Sequence, residues 1–358
     1  MADTSATFDD IADFRVVMEQ LEIAEPKVKA LPHLWRWQDI RKKLLSHEKL
    51  DIAQVHRRAF ALCNPGLGGR PIVATTLFTA VSVYFPGDSA PVHRHTGSAS
   101  RFAIEGTGGI TNVAGEKLVM ERGDLVITPN GEWHDHGNQG TEPIFWIDVL
   151  DVPMVEHFNA IMTEWDYTEN GVAVKAQSVR RAPGYSQKLF SGASVVPLFG
   201  WEDRRNRRFT PKYKYPAGEV RAVQEALKDE PGSPYDGIIV EYVDPTSGRS
   251  VIPTMSFRSQ MLRPDERTMA QRRTANTVFC AFEGSGATII ECQRFEWSQN
   301  DIFIIPGWMW YQHENGPGTS ILYSVTDQPA VEKLGIYRAQ GRDAQGKVVD
   351  ISRWPDFD

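Results

Sequence analysis

Apolar and polar positions change rhythm along the chain. Ile11, Phe14, Val17, Met18 and Leu21 recur at helical spacing, and Trp35, Ile40, Leu44 and Leu45 mark another helical piece. An N-terminal helical segment is therefore expected over residues 1–65. From Pro71 to Val152 the texture differs. Short β-branched and aromatic runs, such as Ile72 to Phe85, Phe102 to Ile104 and Leu125 to Thr128, alternate with Gly, Pro and Asp. That pattern predicts a β-sandwich or barrel. Residues 156–235 are mixed, with proline and charge clusters, and read as an inter-barrel region. A second β-rich stretch begins near Gly237, which gives a second barrel over 236–340 and a tail over 341–358.

The two β-rich stretches repeat one module. With residue 83 laid on residue 261, Pro86 meets Pro264, Arg94 meets Arg272 and Thr96 meets Thr274. At the same offset Glu105-Gly106 meets Glu283-Gly284, and Gly108 meets Gly286. After a slip of one residue, Trp133-His134 meets Trp310-Tyr311. Chance similarity of Gly- and Pro-rich turns does not keep matched residues in one order at constant spacing. The fold expected is mainly β, with two stacked barrels.

The repeat also separates the chemistry of its copies. The first copy, over 66–155, carries His93, His95 and His134. The second holds Gln271, Arg273 and Tyr311 in those places. Arginine has no neutral lone pair for a metal, so the first barrel is the candidate metal binder and the second a structural copy. Histidines two apart on a strand share a face. His134 supplies the third ligand from the Gly123-x5-Pro129-x-Gly131-x2-His134-x3-Asn138 stretch, whose glycines and proline suit a tight turn into a barrel wall. Imidazoles suit iron, zinc, copper or nickel. His136 shares the face of His134, as an acid/base group or a core histidine.

Bulk properties narrow the classes. The net charge of -7 argues against nucleic acid as the main partner. Three unpatterned cysteines, Cys63, Cys280 and Cys292, fit a reducing compartment. The polar, acidic start is unlike a signal peptide, and no run reaches the roughly 20 apolar residues of a membrane span. A cytoplasmic protein is expected. The basic run Arg204-Arg205-Asn206-Arg207-Arg208, with Lys212 and Lys214, reads as a solvated linker or subunit contact.

These motifs resemble those of the cupin superfamily, although Ala99 and Ser100 stand near the place of its usual glutamate. More closely, the chain resembles the gentisate 1,2-dioxygenase family of bicupins, which includes salicylate and 1-hydroxy-2-naphthoate dioxygenases. The strings Ala90-Pro91-Val92-His93-Arg94-His95-Thr96, Arg101-Phe102, Glu105-Gly106, Trp133-His134-Asp135-His136 and Ile147-Asp148-Val149-Leu150-Asp151 carry the likeness. It covers about Leu31 to Tyr337 and implies two double-stranded β-helix barrels. It further implies one Fe(II) per chain, O2 as co-substrate, and a homotetramer. The reaction implied is opening of a 2-hydroxybenzoate between the carboxylate-bearing carbon and the adjacent hydroxyl-bearing carbon.

The resemblance also assigns residues. Arg101 matches the arginine that grips the substrate carboxylate, and a guanidinium suits that planar anion. Arg57 corresponds to a second anion-contacting arginine, with Arg58 beside it. His136 corresponds to a residue near the substrate hydroxyl, and Asp148 to a carboxylate that orients a histidine from behind. Trp308 and Trp310 are expected to pack between the barrels. In the strand before Pro86 the chain departs from its relatives: gentisate enzymes tend to read Tyr or Trp, Ala, Gly, Ile, Gln where Phe78, Thr79, Ala80, Val81 and Ser82 stand here. Phe78, Ala80 and Ser82 are therefore candidate specificity residues. Salicylate or a 5-substituted salicylate, such as 5-nitrosalicylate, joins gentisate as a candidate substrate. Two rival readings remain open. One is a Zn- or Mn-dependent cupin isomerase or hydrolase, and the other a non-enzymatic ligand-binding cupin.

Overall fold

Alternation along each strand decides where its side chains go. On the strand Phe78–Tyr84, Val81 and Val83 belong to one large apolar core, while Phe78, Ala80, Ser82 and Tyr84 face the other way. The computed structural model describes residues 25–50, 57–175, 177–192 and 209–352. The helical pattern over Ile11–Leu21, His56 and the run Arg204–Arg208 lie outside these residues. The expected helix around Ile40 and Leu44 spans Trp37–Leu45 and buries both residues. Trp35 is not helical; it ends a short strand.

In chain order the first part comprises β1 (His33–Trp35), β2 (Ala59–Ala61), β3 (Phe78–Tyr84), β4 (Ser89–His95), β5 (Ala99–Glu105) and β6 (Gly109–Val113). It continues with β7 (Glu116–Met120), β8 (Leu125–Thr128), β9 (His134–Asn138), β10 (Ile144–Leu150) and β11 (Thr163–Glu164). One sheet has the order β8-β5-β10-β3-β2, extended beyond β8 by Lys214–Tyr215; the other is β11-β4-β9-β6-β7. All the pairings are antiparallel.

The second barrel repeats this plan strand for strand. Ser256–Leu262 answers β3, Thr277–Glu283 answers β5, Ile302–Ile305 answers β8, Tyr311–Asn315 answers β9 and Ser320–Thr326 answers β10. The shared Glu-Gly pairs have a backbone reason. Gly106 and Gly284 have φ of 86° and 83°. A Cβ on Gly106 would sit 2.3 Å from Pro143 O. Glycine alone suits both turns.

The barrels pack back to back through their six-stranded sheets. Phe102, Ile104, Leu125, Ile147 and Val149 from one side join Phe257, Cys280, Phe282, Ile304 and Tyr323 from the other. Phe102 stacks on Tyr323 with centroids 3.8 Å apart and packs edge-on against Phe282. Burying each such ring contributes about 1.5–3 kcal/mol.

Several elements differ from expectation. β1 pairs with Ile302–Ile304, so part of the N-terminal region completes the second barrel's sheet. Ala217–Leu227 is a helix within the stretch read as inter-barrel region. Lys212 is buried rather than solvated, because Glu219 Oε2 lies 2.6 Å from its ammonium. Lys214 is likewise paired, with Asp124 at 2.7 Å. Trp308 and Trp310 are absent from the inter-barrel core. Both lie within 5 Å of the Arg272 guanidinium, and Trp310 also stacks with Arg342.

Candidate metal centre and its surroundings

β4 and β9 are neighbours, and their register sets His93 opposite His134. His95 lies two residues beyond His93 on the same face. The three side chains bring one nitrogen each to within 4.8 Å of one another, with His93 and His134 buried and His95 nearly so. Their tautomers follow from their partners. His93 Nδ1 faces Pro91 O at 3.0 Å, His95 Nδ1 faces Gly97 O at 2.7 Å, and His134 Nδ1 faces Glu132 O at 2.9 Å. A carbonyl only accepts, so each Nδ1 carries the proton and each Nε2 keeps its lone pair.

Nε2 of His95 and of His134 are buried without a hydrogen-bond partner. His93 Nε2 is met by the Arg57 guanidinium. Burial and Arg57 pull His93 down to about 3 and His95 to about 4. Burial holds His134 and His136 well below the ordinary imidazole value. All four rings are neutral at physiological pH. Neutral imidazoles with converging lone pairs, those of His95 and His134 unsatisfied, fit a divalent transition metal.

Beside this cluster lies a buried charge network. Arg101 is 1% exposed. Its Nε lies 3.4 Å from Asp148 Oδ1, directly across the β5–β10 pair, and its Nη1 donates to Thr128 Oγ1 at 2.6 Å. Burial pulls Arg101 down to about 10, which leaves it cationic. Its guanidinium has more donors than these two partners use. Asp148 also accepts from Ser82 Oγ at 2.5 Å and Trp146 Nε1 at 3.1 Å. The expectation that Asp148 orients a histidine is corrected. Backbone carbonyls orient the three histidines, and Asp148 secures Arg101, Ser82 and Trp146.

Among the other sequence candidates, His136 is buried beside His134, with Nδ1 3.2 Å from Thr111 Oγ1 and Nε2 unpartnered. Ala80 pairs across from Asp148, Ser82 from Trp146 and Phe78 from Leu150, so all three line the same barrel wall. Of the two N-terminal arginines, Arg57 reaches His93, whereas Arg58 binds Asp88 and Leu50 O.

Three neighbours escaped sequence reasoning. Tyr84 and Trp146 stack on each other beneath His136. Alternation from Phe78, Ala80 and Ser82 was a usable signal for Tyr84. Trp165 stacks on His93 with centroids 4.7 Å apart, carried there by β11, which pairs with β4. Nothing local in its sequence marks it.

The second barrel shows what replaces the histidines. Arg273 donates to Gln271 Oε1 and to both oxygens of Asp236, at 2.7–3.1 Å, and Gln271 Nε2 donates to Asp236 at 2.8 Å. An internal ion pair fills that position. His313 and Thr288 nevertheless repeat the His136–Thr111 pair, with Nδ1 and Oγ1 2.8 Å apart. That pair therefore persists in a barrel without the three histidines.

Comparison with known proteins places this architecture. The cupin domain family matches residues 80–150. A 5-aminosalicylate 1,2-dioxygenase from Comamonas sp is 35% identical over 328 residues, 90% of this chain and 84% of that protein. Gentisate 1,2 dioxygenase 1 from Aquipseudomonas alcaligenes is 34% identical, over 92% of both chains. The salicylate 1,2-dioxygenase from Pseudaminobacter salicylatoxidans superposes with a TM-score of 0.83 at 29% identity, covering 93% of this chain and 94% of that one. Its gentisate adduct gives 0.82, with 93% and 91% covered. Relatives above 30% identity over most of the chain, the shared bicupin fold and the three-histidine cluster lead to one conclusion: the chain belongs to the gentisate/salicylate 1,2-dioxygenase family of ring-cleaving cupin enzymes.

Proposed function

We propose that this enzyme is an Fe(II)-dependent dioxygenase that opens a 2-hydroxybenzoate ring between the carboxylate-bearing and hydroxyl-bearing carbons. The observation that carries the reading is the convergence of one nitrogen from each of three histidines beside a buried arginine. His93, His95 and His134 would hold one Fe(II). The metal, when bound, supplies a Lewis-acidic centre that a salicylate-type chelate and O2 both reach.

The chain's own groups do the rest. Arg101 is fixed by Asp148 and Thr128, so a carboxylate meets a guanidinium that needs no further ordering. His93 Nε2 holds one partner at a time. With His93 holding the metal, the Arg57 guanidinium beside it would serve the substrate anion instead. His136 Nε2 is buried and unpartnered, and would accept a hydrogen bond from the ring hydroxyl. Phe78, Ala80 and Ser82 wall the ring.

The domain division given above, with metal in the 66–155 barrel alone, belongs to the same proposal. So do a homotetramer, which light scattering would measure, and a cytoplasmic location. No helix among the described residues is long and apolar enough to cross a membrane.

The test is anaerobic reconstitution with Fe(II), then O2 uptake and ultraviolet spectra with gentisate, salicylate and 5-nitrosalicylate in parallel. Uptake with a new ring-opened chromophore is expected from at least one acid. No uptake from protein holding one iron per chain would refute the reading for this substrate set.

A further inference from the structure

Ser82 stands where a ring substituent would be read, but its hydroxyl is already committed to Asp148 Oδ2. Two residues along the same face of β3 lies Tyr84. Tyr84 is 1% exposed, and its phenolic oxygen has no hydrogen-bond partner. The ring is held in place, stacked on Trp146 with centroids 4.6 Å apart and edge-on to His136 at 6.3 Å.

The phenol also lies among the site's charges. Ala59 pairs with Ser82, and Val83 N–H donates to Arg58 O. That ladder sets Arg57, the residue touching His93, beside Tyr84. Arg57, Asp148 and Arg101 all act on the phenol, and burial keeps it protonated. Buried hydroxyls in folded proteins are nearly always paired. One that is unpaired, on the wall of a binding site, is a donor available to a ligand.

We propose that Tyr84 is a specificity-determining residue, whose hydroxyl hydrogen-bonds a polar ring substituent of the aromatic acid beyond its carboxylate and 2-hydroxyl. The ligand class is a 2-hydroxybenzoate with a further hydroxyl, amino or nitro group. This rests on the proposed reading of the site as a hydroxybenzoate site. A site built to hydrogen-bond a group rejects the analogue that lacks it, so Tyr84 favours the substituted acids over salicylate.

The test is anaerobic equilibrium binding to the Fe(II)-loaded enzyme, where affinity is measured without turnover. The ligands are salicylate, gentisate, the ring isomers of gentisate, and the methylsalicylates of matching ring position. Wild type is expected to prefer at least one dihydroxybenzoate over salicylate. Tyr84→Phe, which keeps the ring stack, should cut that preference about tenfold. Ser82→Ala should weaken all the acids alike, through Asp148 and Arg101. Wild type alone gives a second reading: the methyl analogue fills the same space without the hydrogen bond and should bind about tenfold more weakly than the hydroxyl compound.

An unchanged preference in Tyr84→Phe overturns the proposal, as does equal binding of the methyl and hydroxyl analogues by wild type. Loss of the preference in Ser82→Ala alone overturns it too. If the ratio shifts as expected but O2 then yields no ring-opened product, Tyr84 keeps its role and the dioxygenase reading falls. If wild type binds none of the acids, both fall.

Discussion

Asp148→Asn removes one charge from a buried pair and keeps its shape. Arg101 then lies 1% exposed without its counter-ion. Breaking a buried ion pair from one side costs about 3–5 kcal/mol. Unfolding entropy of about 2.1 cal/mol/K per residue over 358 residues turns that into a Tm lower by about 4–7 °C. Arg101→Gln should cost less. Burial already pushes Asp148 up, so losing the guanidinium lets the carboxyl take a proton, and Ser82 and Trp146 still bind it.

The double variant buries no charge at this position. It should recover much of the lost stability, with a coupling of at least about 1.5 kcal/mol. Activity should not follow. Arg101→Gln and the double variant both lack the group proposed for the substrate carboxylate, so both should lose roughly 10–200-fold in kcat/KM, the equivalent of about 1.5–3 kcal/mol for a charged hydrogen bond. Urea and thermal unfolding of the three variants, beside steady-state O2 uptake, separate the two effects. Additive stability changes would refute the coupling. Near-wild-type kcat/KM in the double variant would refute the role of Arg101.

Other outcomes follow from the same geometry. His134→Ala removes an Nε2 from the cluster, so iron affinity should fall by more than the about 10–100-fold typical of losing an outer partner, read by metal analysis after dialysis; full iron retention would remove His134 from the ligand set. Trp165→Ala deletes the ring stacked on His93, worth about 0.5–1.5 kcal/mol, and should weaken anaerobic Fe(II) binding roughly 2–10-fold; unchanged binding would leave the stack without a role. Asp236 is held below the ordinary carboxylate value, because Arg273 and Gln271 outweigh the upward push of burial. A lowered acid contributes stability above its unfolded value near 4 and loses it as pH falls through the folded value. Asp236→Asn should therefore cost about 3–5 kcal/mol at pH near 6 and progressively less below about pH 4; a difference that ignores pH would show that the ion pair does not hold the second barrel.

The repeat was legible because its marks are local. Glu-Gly at the β5–β6 turn and its copy is dictated by positive φ at Gly106 and Gly284, and a turn writes that need into adjacent residues. The metal cluster was legible because strand alternation makes His-x-His one-faced. Long-range pairings were not. β1 is three residues long, carries no period, and finds its partner at Ile302–Ile304. Trp308 and Trp310 look like core residues by composition, yet arginines from elsewhere in the chain stack on them. Likeness of position alone puts Asp148 behind a histidine, but the registry opposite Arg101 gives it a cationic partner. Ala217–Leu227 is rich in helix formers, and its signal was hidden by the prolines and charges around it.

The proposed role of the three histidines is to hold Fe(II) where O2 and a hydroxybenzoate react together. The most direct measurement is mass spectrometry of the product formed by the anaerobically iron-loaded enzyme on exposure to isotope-labelled O2 with the acid that it binds best. A ring-opened product carrying both labelled atoms is expected, and none from His134→Ala. A product with one labelled atom, an intact ring, or undiminished turnover in His134→Ala would contradict that role.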